Sequence, residues 1–192
     1  MTLAIVDLGC GNIGSVALAI GRFGVDALVT SEAGEIASAD RVILPGVGAA
    51  GYAAERIDAL GLRGTLIGLQ QPALGICLGM QLLFEASEEE DVECLGIIPG
   101  KVRRLDPAPG RPVPHMGWSK VSVGDLGIGL EDGDYLYFAH SFACDPSSAT
   151  IASADYGREI PAVVRHGNWL GAQFHPERSG AAGARFLESF LS

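Results

Sequence analysis

Residues 73–79 read ALGICLG, an apolar run that ends in a cysteine between two glycines. The first four residues predict a buried parallel strand, and the apolar spacing from Leu78 to Ala86 predicts a helix. A cysteine at such a strand-to-helix turn is typical of a nucleophile elbow, with cysteine in place of serine. Small neighbours relieve crowding where the backbone doubles back, and the helix dipole favours the thiolate form of Cys77. A buried structural cysteine at a glycine-rich turn is the alternative.

Other apolar runs of the N-terminal half alternate with helical patterns. Residues 3–7, 25–30 and 41–44 predict buried strands, and residues 12–23 and 52–69 have helical spacing. Strands that alternate with helices in this way are typical of an open, doubly wound, mostly parallel α/β sheet.

The C-terminal half has a different pattern, in which short strand-like segments precede a closing helix at residues 180–191. The strands are predicted at residues 100–105, 119–123, 134–139, 150–153, 162–165 and 169–173. They predict antiparallel additions to the sheet. Residues 107–114 form a proline-rich surface loop, and no repeat or linker interrupts the chain. We therefore predict a single domain over residues 1–192.

Length and composition limit the classes of function. The 192 residues, 48% of them hydrophobic, are enough for one folded domain with a substantial core. A net charge of −10, with no basic run longer than Arg103-Arg104, disfavours nucleic-acid binding. The apolar runs fall short of the roughly 20 residues that cross a membrane, so none is expected. The acidic run at residues 88–91 is interpreted as a solvated loop.

The four cysteines show no C-x-x-C spacing. We therefore expect neither a metal site nor a disulfide framework. Because Asp7 interrupts the apolar start of the chain, no signal peptide is expected, and the predicted compartment is the reducing cytoplasm.

A second candidate segment, residues 173–177, reads QFHPE and follows an apolar strand. A cysteine nucleophile needs a base that activates it and an acid that protonates the leaving amine, and a histidine can do both. The histidine in turn needs a partner that fixes its tautomer, and a carboxylate lies two residues further on. Alone, the segment would suit a surface turn. Together with the cysteine elbow, it predicts a triad of Cys77, His175 and Glu177.

An oxyanion site is predicted from residues 44–48, which read LPGVG at the carboxyl end of a strand, where open α/β sheets bind ligands. The backbone N–H groups of Val47 and Leu78 are expected to converge on the developing oxyanion. Glycines at Gly46 and Gly48 would allow the peptide between them to flip. A plain turn is the alternative.

Further candidates surround these residues. Gln81 follows Cys77 by one helical turn and is predicted to hold the α-amino or carboxylate group of a substrate. His140 and Ser141, after a strand, are predicted to line the same pocket. Residues 115–118, which read HMGW, suit either local packing or a contact with a partner protein.

The glycines at residues 9–14, GCGNIG, imitate a dinucleotide-binding fingerprint. No acidic residue ends the second predicted strand, where a ribose contact would be required, because Val29, Thr30 and Ser31 stand there. A lone match of this kind is weak, and no cofactor is expected.

Together these segments resemble the class I glutamine amidotransferases, which have a flavodoxin-like α/β fold. More narrowly, they are similar to the glutaminase subunits of imidazole glycerol phosphate synthase. The similar segments are residues 7–12 with Ser15, 44–48, 72–84, 114–118, 137–141 and 171–177. The triad segments mark the superfamily, whereas the first segment and the HMGW segment mark the subunit.

The resemblance implies hydrolysis of L-glutamine without a cofactor, and an allosteric switch controlled by the partner's ligand. The ammonia would pass to the partner in a heterodimer, a cyclase subunit with a (β/α)8 barrel. The cyclase forms imidazole glycerol phosphate and aminoimidazole carboxamide ribotide in histidine biosynthesis. The resemblance also implies that Asn12, Met116, Trp118 and Arg178 lie at the partner interface. Arg178 replaces a usual lysine, which keeps the charge but not the geometry.

Three alternatives remain open. The chain could serve as the glutaminase of another amidotransferase, in anthranilate, carbamoyl phosphate or pyridoxal phosphate synthesis. It could be a non-catalytic binding subunit on the same fold, although that requires a missing triad residue. A cysteine peptidase or glyoxalase-like protein would share the elbow but would not require the QFHPE segment.

Overall fold

The computed structural model describes residues 1–124 and 127–192. The strands in these residues are β1 Leu3–Val6, β2 Ala27–Thr30, β3 Arg41–Gly46, β4 Ala73–Cys77, β5 Ala86–Ser87, β6 Val92–Glu93, β7 Lys101–Arg104, β8 His115–Val123, β9 Tyr135–His140, β10 Phe142–Cys144, β11 Thr150–Asp155, β12 Glu159–His166 and β13 Trp169–Ala172. The α-helices are α1 Ile13–Gly21, α2 Ala33–Ser38, α3 Ala50–Ala59, α4 Arg63–Ile67, α5 Leu78–Gln81 and α6 Gly180–Leu191. A 3-10 turn spans Pro176–Arg178.

The main sheet has the strand order β2-β1-β3-β4-β13-β12-β11-β8-β9. Neighbouring strands from β2 to β13 run parallel. The remaining neighbours, from β13 to β9, run antiparallel. This order confirms the predicted α/β fold, in which antiparallel strands extend a parallel sheet.

Helices cover both faces of the sheet. Side chains alternate between the two faces along each strand, so each face presents apolar side chains that a helix can cover. Leu3 and Ile5 of β1 pack into the apolar cluster that contains α1 and α6. Ala4 and Val6 pack into the cluster on the opposite face, with α2, α3 and α4. Within the described ranges, no helix is long and apolar enough to cross a membrane.

The three predicted site segments meet at the carboxyl end of the parallel strands. Gly46, the last residue of β3, lies opposite Cys77, the last residue of β4. On the other side of β4, strand β13 ends at Ala172, opposite Ile76, and leads directly to the QFHPE segment. Ligands bind at this edge of open α/β sheets.

A second, four-stranded sheet was not predicted. Its order is β10-β7-β5-β6, and it contains residues 101–104, which we had expected in the main sheet. Strands β5, β6 and β10 are only two or three residues long, too short to produce a periodic pattern in the sequence.

Two predicted helices are shorter than expected, and the short helix α2 was not predicted. The helix expected over residues 78–86 ends at Gln81, after which Leu83 and Phe84 bond to carbonyls only three residues earlier. The helix expected over residues 52–69 is interrupted at Gly61. The φ of this residue is 67°, a left-handed conformation that glycine adopts readily and that commonly ends a helix.

The acidic run is not simply a solvated loop, as we had interpreted it. Glu89 Oε2 accepts a hydrogen bond from Ala50 N at 2.9 Å, and Glu90 Oε2 accepts one from Gly51 N at 3.0 Å. Ala50 and Gly51 begin α3, so two carboxylates from a distant loop satisfy its first free N–H groups. The same helix directly follows the LPGVG segment.

Candidate active site

Cys77 occupies a strained turn between β4 and α5. Its φ of 55° and ψ of −109° are rare for a residue other than glycine, and such strain concentrates at functional sites. A Cβ atom at Gly75 would lie 2.6 Å from the carbonyl oxygen of Gly79, and one at Gly79 would overlap the carbonyl oxygen of Leu44. The glycines on either side of Cys77 are therefore required by backbone packing, as the elbow pattern predicted.

Helix α5 has only four residues, so its dipole is much smaller than the predicted nine-residue helix would have supplied. Two polar side chains neighbour Cys77: Gln173, whose Nε2 lies 3.8 Å from Sγ, and His175, whose pKa is raised by Cys77. His175 is buried, with an exposed fraction of 6%. The short helix therefore leaves His175 as the neighbour that could activate the sulfur.

Glu177 completes the predicted set of three residues. His175 Nδ1 lies 2.9 Å from Glu177 Oε1, which leaves Nε2 of the ring for Cys77. The Glu177 side chain is only 1% exposed. Burial lowers the pKa of His175, but the hydrogen bonds and charges of Cys77 and Glu177 outweigh burial and raise the pKa to about 10. The two neighbours of His175 therefore favour its protonated form.

The main chain of the QFHPE segment is fixed by strand β9. His175 N donates to Tyr137 O at 2.9 Å. Ser179 Oγ donates to His175 O at 2.7 Å and accepts from Tyr137 N at 3.0 Å. Ser179 is itself buried, and hydrogen bonds hold both the N–H and the C=O of His175 in place.

Asn12, which we had predicted only as an interface residue, also contacts this set. Its Nδ2 donates to Glu177 Oε1 at 3.2 Å. The other carboxylate oxygen of Glu177, Oε2, is buried without a hydrogen-bond partner in the described part of the chain. The glycines before Asn12 make a tight turn, with φ of 131° at Gly11, and this turn brings the amide to the carboxylate. The glycine-rich segment that imitates a dinucleotide fingerprint therefore has a structural role at this site, which is to position Asn12.

A cavity of about 310 Å³ opens beside Cys77. Its lining residues are Val47, Gly48, Cys77, Leu78, Gln81, Glu89, Pro114, Met116, Ala139, His140, Ser141 and Phe142. The predicted pocket residues Gln81, His140 and Ser141 are all among them. Glu89 is the one carboxylate in this lining and was missed, because the sequence shows it inside a run of four acidic residues. Burial raises the pKa of Glu89.

Gln81 is held by other protein groups. Its Nε2 donates to Phe142 O at 2.8 Å and to Gln173 Oε1 at 2.9 Å. Both hydrogens of the amide are therefore engaged, and only its oxygen can still accept from a ligand. Gln173, which is fully buried, places its own Nε2 3.8 Å from Cys77 Sγ.

His140 lines the cavity with both of its ring nitrogens occupied. Nδ1 lies 2.8 Å from Phe142 O, and Nε2 lies 3.0 Å from His115 Nδ1. Burial lowers the pKa of His140 to about 3. His140 thus shapes the wall of the cavity as a neutral side chain.

The predicted oxyanion residues stand on either side of the elbow. Val47 and Leu78 directly follow the paired strand ends Gly46 and Cys77. Gly46 packs so closely that a Cβ atom there would lie 2.9 Å from Gly79 N. Val47 is 38% exposed and lines the cavity. The backbone of both segments therefore borders the space next to the sulfur.

The remaining predicted interface residues form an exposed group close to the cavity. Met116 and Trp118 of β8 are 64% and 54% exposed. The guanidinium of Arg178 lies 4.5 Å from the ring centroid of Tyr137, whose ring meets that of Trp118 edge-on at 6.0 Å. We refer to Met116, Trp118, Tyr137 and Arg178 as the Trp118 patch.

Comparisons with known proteins agree with this geometry. The family model "Glutamine amidotransferase class-I" matches residues 4–192. The imidazole glycerol phosphate synthase subunit HisH of Xanthomonas axonopodis pv. citri is 50% identical over 98% of this chain and 96% of the relative. The subunit of the same name from Xylella fastidiosa (strain Temecula1) is 48% identical, with the same coverage.

Solved structures share the fold at much lower identity. A crystal structure of a glutamine amidotransferase superposes with a TM-score of 0.78 at 20% identity, covering 100% of this chain and 97% of the other. A glutamine amidotransferase from Thermotoga maritima has a TM-score of 0.66 at 18% identity, covering 100% and 82%. The chain belongs to the class I glutamine amidotransferases and, within them, to the HisH subunits of imidazole glycerol phosphate synthase.

Proposed function

We propose that Cys77, His175 and Glu177 are the catalytic residues with which this glutaminase hydrolyses the side-chain amide of L-glutamine. The observation that carries the proposal is the position of Cys77 on a strained elbow at a cavity wall, with His175 as its neighbour and the buried Glu177 Oε1 2.9 Å from His175 Nδ1. A nucleophile, a base and a residue that orients the base are the three parts that covalent catalysis requires.

In the first half-reaction, the Cys77 thiolate attacks the amide carbon and a C–S bond forms. The carbonyl oxygen becomes an oxyanion, which the N–H groups of Val47 and Leu78 stabilise. His175 then donates its proton to the amide nitrogen, the C–N bond breaks, and ammonia leaves. The product is a thioester between Cys77 and the γ-carboxyl of glutamate.

In the second half-reaction, neutral His175 removes a proton from a water molecule, and the resulting hydroxide attacks the thioester. The C–S bond breaks, glutamate is released, and the proton on His175 again faces a thiolate. Glu177, held by Asn12, keeps the Nδ1–H tautomer of His175 throughout, so that Nε2 always faces the reacting atoms.

Glu89 is proposed to select a free amino acid as the substrate. It is the carboxylate that lines the cavity, and an α-ammonium group is the charged group of glutamine that would pair with it. Gln81, whose donors are engaged by the protein, and His140, whose nitrogens are both occupied, contribute shape more than hydrogen bonds. The oxygen of Gln81 and the Ser141 side chain remain for polar contacts with the ligand.

The printed names of the relatives describe a subunit of a synthase. We propose that this chain pairs with a cyclase, a (β/α)8 barrel, in a heterodimer, and that the Trp118 patch and Asn12 face that partner. Ammonia would pass to the cyclase, which makes imidazole glycerol phosphate and aminoimidazole carboxamide ribotide in histidine biosynthesis. A cytoplasmic location is consistent with the four cysteines, which are all free.

The proposal is tested by measuring glutamate release from glutamine, first with the purified chain and then with the cyclase and its nucleotide ligand. Release that is strong only in the complex, and that is lost in Cys77→Ala, is the expected result. Release that ignores this cyclase would keep the three catalytic residues and reject the histidine pathway. Absence of release in every mixture would reject the amidase.

A further inference from the structure

A chain of buried hydrogen bonds connects strand β8 to Cys77, separately from His175 and Glu177. It begins at His115, which pairs with His140 across the β8–β9 register. His115 is 2% exposed, and its ring is stacked between Phe138, at 4.9 Å, and Tyr156, at 3.9 Å. The proposed mechanism gives His115 no role.

The hydrogen bonds determine which nitrogen of each histidine carries the proton. The Phe142 carbonyl can only accept, so His140 Nδ1, 2.8 Å away, must be the donor. In a neutral ring, His140 Nε2 is then an acceptor, and its neighbour His115 Nδ1 must donate. His115 Nε2 consequently accepts from Ser119 Oγ at 2.8 Å. Burial lowers the pKa of His115 to about 4, which agrees with a neutral ring.

From Phe142 the chain continues to the nucleophile. The Phe142 carbonyl also accepts from Gln81 Nε2, which in turn donates to Gln173 Oε1. Gln173 Nε2 reaches to within 3.8 Å of Cys77 Sγ. Every group between His115 and the sulfur is thus held by a directional contact, so a change of the His115 donor alters a defined series of neighbours.

We propose that His115 is a positioning residue for this site. By donating to His140 it fixes the His140 ring, the Phe142 carbonyl, and the Gln81–Gln173 amide pair beside Cys77. The inference rests on the proposed glutaminase function, because it concerns the same nucleophile and cavity. Met116 and Trp118 follow His115 on β8 and are exposed, so the strand that positions the cavity wall also carries part of the Trp118 patch.

Two substitutions separate this role from simple packing. His115→Phe keeps an aromatic ring between Phe138 and Tyr156 but removes the donor. His115→Asn loses the ring but places an N–H donor where Nδ1 stood. His166→Phe, at an exposed position at the end of β12, is the matched control for loss of a histidine.

The variants are compared in the complex by their kcat and KM for glutamine. The kcat is calculated per active site, taken as the amount of Cys77 that reacts with iodoacetamide. That amount is measured by mass spectrometry of the Cys77 peptide. We expect His115→Phe to lower kcat/KM by about 10-fold or more, as misplacement near a reacting group does. His115→Asn should recover most of that loss, and His166→Phe should match the wild type. Kinetics of His115→Phe that equal the wild type, or an Asn variant no better than the Phe variant, would overturn the proposal.

Nitrogen-15 NMR of the histidine rings, recorded before any alkylation of Cys77, tests the same inference without glutamine. His115 and His140 should both be neutral Nδ1–H tautomers, and His115→Phe should shift the His140 nitrogens and change the rate at which iodoacetamide alkylates Cys77. An Nε2–H tautomer at His115 would reject the positioning role even if the wild type is an active glutaminase. If instead the wild type releases no glutamate, the glutaminase proposal fails, whatever the tautomers are.

Discussion

Asn12 and Glu177 lie 165 positions apart in the sequence, and the amide of Asn12 donates to Glu177 Oε1 at 3.2 Å. The same oxygen accepts from His175, so Asn12 helps to fix the carboxylate that fixes the histidine. Because Glu177 Oε2 has no hydrogen-bond partner among the described residues, the carboxylate has few other anchors. Asn12, which is expected at a protein interface, therefore also helps to orient the proposed base, His175.

We predict that Asn12→Ala lowers kcat of the isolated chain by about 10-fold. A hydrogen bond to a charged group contributes about 1.5 kcal/mol or more, and about 1.4 kcal/mol corresponds to a factor of ten in rate. The matched control is Asn168→Ala, which removes hydrogen bonds to the carbonyls of Leu69 and Gln71 far from the cavity. Asn168→Ala should lower the melting temperature without a change in kcat. Equal kcat values for the two variants would contradict the assigned role.

Gly79→Ala should abolish activity and lower the free energy of unfolding by about 1–3 kcal/mol, as overpacking does. The added methyl would meet the carbonyl oxygen of Leu44, a backbone atom that cannot move aside. Gly64→Ala, in helix α4, is the control, since a Cβ atom there meets nothing within 4 Å. Denaturant unfolding and glutamate release measure both effects, and a stable, active Gly79→Ala variant would show that the elbow tolerates a side chain.

Glu89→Gln should raise KM for glutamine by about 10-fold and leave kcat nearly unchanged. Loss of an ion pair made equally in the ground state and the transition state has this kinetic signature. The side-chain amide in the Glu89→Gln variant retains an oxygen that can still accept a hydrogen bond from Ala50 N, so the start of α3 is preserved. The neighbouring Glu88→Gln is the control, because Glu88 pairs with Arg103 on the surface. A fall in kcat alone would place Glu89 outside the substrate contacts.

The histidine pair predicts a dependence of stability on pH. Burial lowers the pKa of His115 to about 4 and that of His140 to about 3, below the value of about 6.5 in an unfolded chain. As pH falls below 6.5 the unfolded state binds protons that the folded state does not, so stability is lost. Each neutral histidine contributes a slope that grows from about 0.7 kcal/mol per pH unit at pH 6.5 toward a limit of about 1.4 at lower pH.

The prediction is measured as the slope of the unfolding free energy between pH 5 and pH 6.5. His115→Phe removes one of the two titrating groups, so its mean slope should be shallower than that of the wild type by about 1 kcal/mol per pH unit. His166→Phe, at an exposed position, is the matched control for loss of a histidine. A His115→Phe slope equal to that of the wild type would mean that His115 binds protons to the same extent in the folded and the unfolded chain.

Trp118→Ala should weaken binding to the cyclase by about 10-fold or more, since exposed tryptophans at interfaces often carry a large share of the affinity. Tyr52→Ala, at a half-exposed aromatic on α3, is the control. Titration calorimetry with the purified cyclase compares the two variants. Equal affinities would move the contact surface away from the Trp118 patch.

The parts of the site that follow from local sequence were predictable. The glycines around Cys77 reflect backbone crowding within a few residues, and His175 and Glu177 are separated by one proline. The strand ends that carry Gly46 and Cys77 also follow, because apolar runs mark buried parallel strands and such strands present their carboxyl ends on one edge.

The parts that depend on distant contacts were not predictable from one sequence. The pairing of His115 with His140 depends on the register of β8 on β9, which no local pattern determines. Glu89 stands among other acidic residues, and only the fold shows that its side chain reaches the cavity and the start of α3. The second sheet is built from strands too short to leave a periodic signal.

The elbow that carries Cys77 is packed tightly against the neighbouring strand end. At Gly75 and Gly79 the nearest atoms are mainly backbone and at Gly46 they include the Leu78 side chain, and none of the three positions has room for a methyl group. The turn that holds the sulfur therefore depends on three positions that tolerate no side chain, which leaves little freedom for sequence change there. A descendant of this chain that acquires a different amide substrate has to do so through other residues that line the cavity, such as Glu89, Met116 and Ser141.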